Sequence, residues 1–354
     1  MKQFILIASL LNFFLCFSQL TSVPDPNFED YLEQNGMGDG VPNNSLVLTA
    51  NIENVLSLIM DYKAIQDLTG IQDFTQLRIL NCAGNNIPLL DVSQNMNLEF
   101  LNCQASNVAQ LLLPPTASLE NLRCPENSLT SLDISQNPGL FQLECQINNL
   151  TQLDLTHNPA LEIVEASFNN MSGALDTSQN PLLSFLSIID NGISAVNLSQ
   201  NPLILTFNAS NNSFESLDAR NGNNENIEYF SASGTHGLLS CILVDDANAP
   251  YLASWLKDTE TSFVNNQAEC DALGVEDMEG KNIAIYPNPA NEIVTINLPN
   301  ISSYILFDSN LKKLKSGVLN SGNNIISVLG FDAGVYFLRI NSDQEFFTKK
   351  LVVY

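Results

Sequence analysis

Four cysteines that recur at a fixed spacing are the first residues of this chain that could do chemistry. The same step separates each one from the next: Cys82, Cys103, Cys124 and Cys145. In an exported protein such thiols could form disulfides or bind a metal. In the later repeats the same position holds an aliphatic residue: Ala166, Ile188, Ala209 and Ala232. A position that accepts Cys, Ala or Ile serves packing, so we predict four buried free thiols.

A column of carboxylates recurs with the same spacing, and paired carboxylates could bind calcium or hydrolyse glycosides. Its members are Asp91, Asp133, Asp154, Asp176 and Asp218, with Asn197 in line. They stand in the motif Leu-Asp-Val-Ser-x-Asn-Pro, where Asp and Ser side chains bond to nearby backbone amides. The column lacks the carbonyl and bidentate ligands of known calcium loops, so we predict turn formation and no metal or cofactor.

Two histidines complete the candidates for chemistry. Neither His157 nor His236 has the spaced Cys, Asp or Glu partners of a zinc site, and we expect both to be solvated. The sequence also lacks a nucleophile elbow, a phosphate-binding loop and a metalloprotease helix motif. We therefore predict that the protein has no catalytic residues and is not an enzyme.

All these residues are positioned by one repeat that recurs with a constant period. Numbered from its first leucine, the repeat is apolar at positions 1, 4, 6, 11, 14 and 16 in most copies. Positions 4 and 6 have the period of two that is typical of a short strand with one buried face. A period of about 20–30 residues predicts a solenoid, because no single coil can bury enough apolar surface alone. The coils begin at Val55, Leu77, Leu98, Leu119, Leu140, Leu161, Leu183, Ile204 and Ile227.

Position 9 is asparagine in six coils, with Ser106 and Thr235 as exceptions. The six are Asn85, Asn127, Asn148, Asn169, Asn191 and Asn212. We expect this side chain to turn the backbone after the strand and to bond backbone groups of the next coil. Two coils depart from the repeat, one through the double proline at 114–115 and one through an extra residue near Gly173. Both should leave a bulge or an altered convex wall.

The strand residues at positions 3 and 5 should face outward on the concave side of the solenoid. These positions place aromatic side chains among amides, hydroxyls and charges, which is typical of a binding face. From them we predict a ligand-binding face formed by Phe100, Arg123, Glu144, Glu165, Phe185 and Tyr229.

The repeat resembles a known family. Its consensus, Leu-x-x-Leu-x-Cys-x-x-Asn-x-Leu-x-x-Leu-Asp, is similar to the short bacterial leucine-rich repeats, and the segment from Ile65 to Phe74 resembles internalins. The resemblance covers about residues 55–235. It implies a leucine-rich-repeat solenoid of parallel β coils with little helix, and it identifies no ligand.

The segments around the repeats predict the remaining organisation. Residues 1–18 have the short apolar run of a cleaved signal peptide. Residues 19–54 should form an N-terminal cap that contains a helix over 26–33 and ends it at Asn35-Gly36. The repeats should occupy 55–240, followed by a C-terminal cap over 241–274. Cys241 and Cys270 break the regular step of the other cysteines and flank this cap, so we predict a disulfide between them.

The C-terminal part of the chain has a different pattern. After a short linker at 275–282, residues 283–354 contain short β-branched segments between turn residues, which predicts a small antiparallel β-sandwich. This segment closely resembles the C-terminal sorting domain of the type IX secretion system of Bacteroidota. The matching residues are Tyr286, Pro287, Asn288, Pro289, Gly334, Val335, Tyr336, Lys349 and Lys350. The resemblance implies handling by the type IX machinery, removal of the tail, and release or attachment at the cell surface.

Charge limits the class of partner. The chain has a formal net charge of −25, and seven of its 13 Lys and Arg residues lie within 281–354. An acidic body repels phosphate backbones, so we expect no nucleic-acid partner. No stretch is long and apolar enough for a transmembrane helix. We predict a secreted or cell-surface protein that binds an extracellular protein or glycan. The alternatives are a structural surface or matrix component without a dedicated ligand and a glycan-active enzyme that uses the Asp column.

Overall fold

The computed structural model describes residues 19–235, 239–273, 285–298, 300–308, 312–342 and 345–354. The predicted signal peptide at 1–18, His236 and the predicted linker at 275–282 lie outside the described residues. The chain divides into two compact units, Met1–Gly274 and Val275–Tyr354.

The first unit is a parallel β-solenoid built from coils of about 21 residues. In each coil, positions 3 to 5 form a short strand that pairs in register with the same positions of its neighbours. This confirms the predicted leucine-rich-repeat solenoid with little helix. Ten strands form one parallel sheet: Ser57–Ile59, Ile79–Asn81, Phe100–Asn102, Asn121–Arg123, Gln142–Glu144, Ile163–Glu165, Phe185–Ser187, Thr206–Asn208, Tyr229–Ala232 and Leu256–Lys257.

A second wall of the solenoid is less regular. It contains a two-stranded parallel sheet, Leu89–Asp91 with Gln110–Leu112. It also contains a five-stranded parallel sheet: Ser172–Leu175, Gly192–Asn197, Ser216–Asp218, Cys241–Leu243 and Ser262–Val264. The register of this sheet shifts between Gly173 and Ala174, which confirms the irregularity predicted from the extra residue.

The apolar positions of successive coils form one continuous core that runs from Val23 to Trp255. Leu101, Leu122 and Leu143, at position 4 of consecutive coils, have no solvent-exposed surface. Each coil therefore depends on its neighbours for burial, which is the general basis of solenoid stability.

The N-terminal end of this core is covered by a helix over Pro26–Gln34. Asp25 caps the helix by accepting hydrogen bonds from the backbone N–H groups of Asn27 and Phe28, both at 2.9 Å. The predicted helix and its end before Gly36 are confirmed. The remaining elements before the first coil are an antiparallel pair and a short helix: Leu20–Ser22, Leu46–Leu48 and Thr49–Ile52.

The C-terminal end is closed by Trp255, whose ring stacks on Phe230 with 4.0 Å between centroids. The predicted disulfide between Cys241 and Cys270 is present, with 5.7 Å between the Cα atoms. It ties a strand to the helix Gln267–Leu273. Short 3-10 turns connect the other segments: Ile71–Asp73, Asn224–Asn226 and Pro250–Ser254.

The second unit contains two antiparallel sheets around a core of its own, which includes Ile296, Leu306 and Leu338. One sheet has three strands: Ile285–Tyr286, Ile293–Leu298 and Gly322–Ser327. The other has four: Ser302–Phe307, Lys313–Leu319, Gly334–Ser342 and Glu345–Val353. The predicted small antiparallel β domain is confirmed.

Candidate ligand-binding face

In six coils the asparagine at position 9 bonds to the backbone behind the ten-stranded sheet. In Asn148 the Nδ2 atom donates to the carbonyl oxygens of Cys124 and Cys145 at 2.9 and 3.1 Å. Its Oδ1 atom accepts from the backbone N–H of Leu129 at 3.0 Å. Cys124 and Leu129 belong to the preceding coil, so our expectation of bonds to the next coil was wrong in direction. The side chain points back because the αL residue before it has already turned the chain inward.

A second set of asparagines, in the motif Asp-Val-Ser-x-Asn-Pro near the end of the coil, forms another ladder that the sequence analysis missed. Each of these asparagines donates to two backbone carbonyls of the coil before it. Asn158 donates to Ile134 and Asn137 at 2.9 and 2.8 Å. The signal was the recurrence of Asn near the end of the coil, usually before Pro. The buried members are Asn95, Asn137, Asn158, Asn180 and Asn201.

The four cysteines of the repeat are buried free thiols, as predicted. Burial in the apolar core raises the pKa of the Cys103 and Cys145 thiols to about 12. It raises the pKa of Cys82 and Cys124 in the same direction, because a thiolate would lose its hydration there. These thiols therefore act as small apolar residues and not as nucleophiles.

The carboxylates of the acid column are engaged in turns. Asp133 and Asp176 each accept a hydrogen bond from the backbone N–H two residues later, at 3.0 and 2.8 Å. These backbone bonds lower the pKa of both carboxyl groups, and a bond from the Thr156 hydroxyl is the main cause for Asp154. Among the described residues, no three His, Cys, Asp or Glu side chains are grouped as metal ligands.

The outward face of the ten-stranded sheet, made of positions 3 and 5 and called here the display face, carries all six predicted ligand-binding residues. On the third and fourth strands of this sheet, the Arg123 guanidinium lies over the Phe100 ring, 5.7 Å from the centroid. Its Nε atom is 3.5 Å from Glu144 Oε1. Gln142 also donates to Glu144, at 2.6 Å. The structure therefore brings Phe100, Arg123 and Glu144 together in one cluster.

The other three predicted residues follow along the same sheet. Glu165 lies in register beside Glu144 and accepts from the backbone N–H of Ser167 at 3.1 Å. Phe185 is four strands from Phe100, about 19 Å at the usual strand spacing. Tyr229 is 42% exposed and lies two strands beyond Phe185. The three aromatic residues thus form a spaced row and do not touch each other.

Two polar atoms near the Arg123 cluster are shielded from solvent without a hydrogen bond. Within the described residues, Arg123 Nε and Gln146 Oε1 have no hydrogen-bond partner. Arg123 Nε has the Glu144 carboxylate as an ionic partner at 3.5 Å, so its burial is compensated by charge. Gln146 follows the strand at position 7 and was not among the residues predicted from the sequence.

In the second unit, three separated sequence motifs meet. Asn288 Nδ2 donates to the Lys350 carbonyl at 2.8 Å, and its Oδ1 accepts from Val352 at 2.9 Å. The strand that begins at Gly334 pairs with the last strand, where Lys349 and Lys350 lie. Tyr336 is buried and donates its hydroxyl to the Asp332 carbonyl at 2.7 Å. Tyr286 is half exposed beside Pro287, and Asn288 precedes Pro289.

The family model described as "Secretion system C-terminal sorting domain" matches residues 284–354. These residues form a secretion-system sorting domain. Its presence indicates export and a cell-surface or secreted location. Within the described residues, no helix combines the length and apolar character that crossing a membrane requires.

Three of the solved structures that this chain resembles come from Listeria monocytogenes. The functional domain of InlJ, which includes a cysteine ladder, is 19% identical, with 95% of this chain and 99% of that chain covered and a TM-score of 0.36. Internalin C2 is 17% identical over 70% and 98%, with a TM-score of 0.44. InlP is 14% identical over 94% and 97%, with a TM-score of 0.40. The search of curated proteins gives no match.

Proposed function

We propose that this exported leucine-rich-repeat protein is a non-catalytic binding protein whose display face recognises or adheres to an extracellular protein or glycan. The observation that carries the proposal is the display face itself. It is a continuous parallel sheet on which Phe100, Phe185 and Tyr229 stand partly exposed among polar side chains. Aromatic groups in a polar field are the usual anchors of binding surfaces.

The charged cluster beside Phe100 supports the same face. The Arg123 and Glu144 side chains are 40% and 24% exposed, and they offer hydrogen-bond donors and acceptors beside the Phe100 ring. A ligand with both hydrogen-bonding and apolar groups would bond to these two side chains and cover the ring. Both peptides and sugars meet this description, because a sugar ring has one apolar face and many hydroxyls.

Binding is favoured over glycan hydrolysis by the state of the acid column. Hydrolysis needs one carboxyl with a raised pKa that donates a proton. The pKa values of Asp133, Asp154 and Asp176 are instead lowered by turn hydrogen bonds. A carboxyl held ionised in this way is a poor general acid at neutral pH.

The second unit serves delivery under this proposal. We propose that the type IX machinery recognises the junction of the three motifs, at residues 286–289, 334–336 and 349–350, and that the first unit acts after export. Deletion of 283–354 should then trap the protein in the periplasm. Normal appearance of the shortened chain outside the cell would contradict this assignment.

The binding proposal is tested with the full exported chain on arrays of extracellular proteins and glycans. The variant Phe100→Ser/Phe185→Ser/Tyr229→Ser should lose capture while its unfolding temperature stays within about 2 °C. The control is Met96→Ser/Leu182→Ser/Leu203→Ser, which removes three exposed apolar residues outside the display face. Unchanged capture by the first variant would refute the display face as the binding site.

A further inference from the structure

Position 8 of the repeat adopts the left-handed backbone conformation in all nine coils. The residues, with φ between 50° and 74°, are Tyr62, Gly84, Ala105, Glu126, Ile147, Phe168, Asp190, Asn211 and Gly234. The fold requires this conformation. It lets the backbone N–H of Ile147 donate to Ser167 O at 3.0 Å and that of Phe168 donate to Ile189 O at 2.7 Å. These bonds extend the contact between neighbouring coils beyond the strands.

The residue types at position 8 are not dictated by the fold in the same way. Glycine adopts the left-handed region freely, and Asn and Asp tolerate it. A β-branched residue there is a genuine outlier, and a bulky aromatic residue is also unfavourable. Ile147 and Phe168 therefore oppose the backbone conformation that they must adopt.

Burial does not compensate for this conflict. The Ile147 and Phe168 side chains are 50% and 51% exposed. Tyr62 is 78% exposed, but its ring lies over Gly84, in the space that a Cβ atom there would need. Strained residues that the core does not use are found at functional sites. The adjacent pair in neighbouring coils is therefore a candidate contact surface for another molecule.

The surroundings of the pair indicate the charge of that molecule. Glu126 lies before Ile147 in the position 8 column, and Asp190 lies after Phe168, both exposed. Glu126 accepts from Gln104 Nε2 at 2.8 Å and Asp190 from Asn211 Nδ2 at 3.3 Å, and neither is paired with a cation in these bonds. The order along the column is acid, apolar, apolar, acid.

The distance between the two acids predicts the residue pattern of a bound peptide. Three coil steps separate Glu126 from Asp190, about 14 Å at the usual spacing of neighbouring strands. An extended peptide advances about 3.3 Å per residue, so residues i and i+4 are about 13 Å apart on one face. A segment with cations at i and i+4 and an apolar residue at i+2 would place its charges on the acids and its apolar side chain on the pair.

We propose that the column Glu126, Ile147, Phe168 and Asp190 docks an extended basic segment of a protein partner with the pattern cation-x-apolar-x-cation. The proposal rests on the binding function proposed above and assigns its partner to proteins. The site is a different surface from the display face, because position 8 follows the strand and lies beyond its outward rows.

The test uses the full chain and dense surfaces of the peptide Gly-Lys-Ser-Phe-Ser-Lys-Gly. Control surfaces carry the same peptide with Phe replaced by Ser, or with both Lys replaced by Glu. Ile147→Asn/Phe168→Asn removes the apolar pair without a change of charge, and Asn accepts the left-handed backbone. We expect binding to fall at least about tenfold, the usual cost of losing a hot spot, while the unfolding temperature rises or stays unchanged.

Two matched controls isolate the site. Tyr62→Asn removes an exposed aromatic residue at position 8, four coils from Ile147, and should leave peptide binding unchanged. Glu126→Gln/Asp190→Asn should weaken binding and its salt dependence, whereas Glu215→Gln/Glu225→Gln removes the same charge elsewhere and should not.

Unchanged binding in Ile147→Asn/Phe168→Asn would overturn the inference, and so would a lower unfolding temperature, which would assign the pair to packing. Equal binding to the peptide that lacks Phe would also overturn it. If the display-face variant loses its array ligand while Ile147→Asn/Phe168→Asn keeps peptide binding, only this inference fails. If the display-face variant keeps its array ligand while Ile147→Asn/Phe168→Asn loses the peptide, only the display-face assignment fails.

Discussion

The inner wall of the solenoid and its outer surface differ in how they use the same repeat. Inside, position 9 is asparagine in coil after coil, and Asn85, Asn148 and Asn212 are all buried. Outside, positions 3, 5 and 8 change from coil to coil, from Phe100 to Gln142 to Tyr229 at position 3. The constant residues satisfy backbone groups that every coil leaves buried, whereas the variable ones contact solvent. Substitutions inside should therefore cost stability, and substitutions outside should affect stability much less.

The largest effect is expected at the asparagines of position 9. Asn148→Ala leaves the N–H of Leu129 and the carbonyls of Cys124 and Cys145 without this partner. The Leu129 N–H is then unpaired, at a cost of about 1–3 kcal/mol, and the two carbonyls, which keep bonds from Asn127 and Asn169, each lose a bond worth about 1 kcal/mol. The free energy of unfolding should therefore fall by about 4 kcal/mol in urea denaturation. Asn148→Ser should restore part of this loss, because Ser106 donates to Cys82 O at 2.9 Å in the same role. A loss below about 1 kcal/mol for Asn148→Ala would show that water replaces the side chain and that the ladder is not structural.

The next effect is expected at the C-terminal end of the first unit, where the disulfide between Cys241 and Cys270 joins a strand to the terminal helix. The variant Cys241→Ser/Cys270→Ser opens a link of sequence separation 29. On the chain-entropy model it should lower the free energy of unfolding by about 3–4 kcal/mol. Reduction of the wild-type protein by dithiothreitol should lower stability by a similar amount, while the same treatment should not change the double variant. Equal unfolding midpoints for the variant and the oxidised protein would contradict a stabilising role.

A smaller loss of stability is expected when a cysteine at position 6 is replaced, and its size tests whether this residue serves packing or chemistry. Cys124→Ala should cost about 1 kcal/mol, since Ala occupies this position in later coils. Cys124→Ser should cost about 2 kcal/mol, because a buried hydroxyl without a partner is penalised more than a thiol. Labelling with iodoacetamide should occur only after unfolding, since burial raises the pKa of this thiol. Fast labelling of the folded protein would show that the site is open.

The smallest effect is expected at the acid column, and it depends on pH. The pKa of Asp176 is lowered in the folded state by the bond from Ser178. Its contribution to stability is therefore present above the unfolded pKa of about 3.9 and is lost as pH falls through the lower, folded value. Asp176→Asn should leave stability at pH 7 almost unchanged, because at the same position in the next coil Asn197 Oδ1 accepts a hydrogen bond from the backbone N–H of Ser199 at 2.8 Å. Thermal unfolding between pH 5 and pH 2, measured on both proteins, should show a shallower acid loss in the variant, and parallel curves would refute this.

Much of the fold could be predicted because the residue types found at each repeat position indicate whether that position is buried. Position 6 tolerates Cys82 and Ala166 alike, which identified it as core before any coordinates were considered. The helix over Pro26–Gln34 and the disulfide between Cys241 and Cys270 followed from local signals of the same kind. The second asparagine ladder was missed, because an Asn before Pro has the same local pattern whether its amide faces solvent or the preceding coil.

The candidate site could be predicted only in part. The register of period two placed Phe100, Arg123 and Phe185 on one outward face. It did not reveal that Arg123 lies over Phe100, nor that Gln146 Oε1 is left without a hydrogen bond. Such contacts depend on side-chain rotamers in two neighbouring coils at once.

The amino-acid sequence alone determined that the chain stacks coils of about 21 residues and carries a sorting domain, because periodicity and clustered motifs are properties of the order of residues. The tertiary structure decided which way the asparagine amides point and that Ile147 and Phe168 adopt the left-handed conformation half exposed. Those properties arise from the backbone angle at one position and from contacts with the adjacent coil, and neither is encoded in the spacing of residue types.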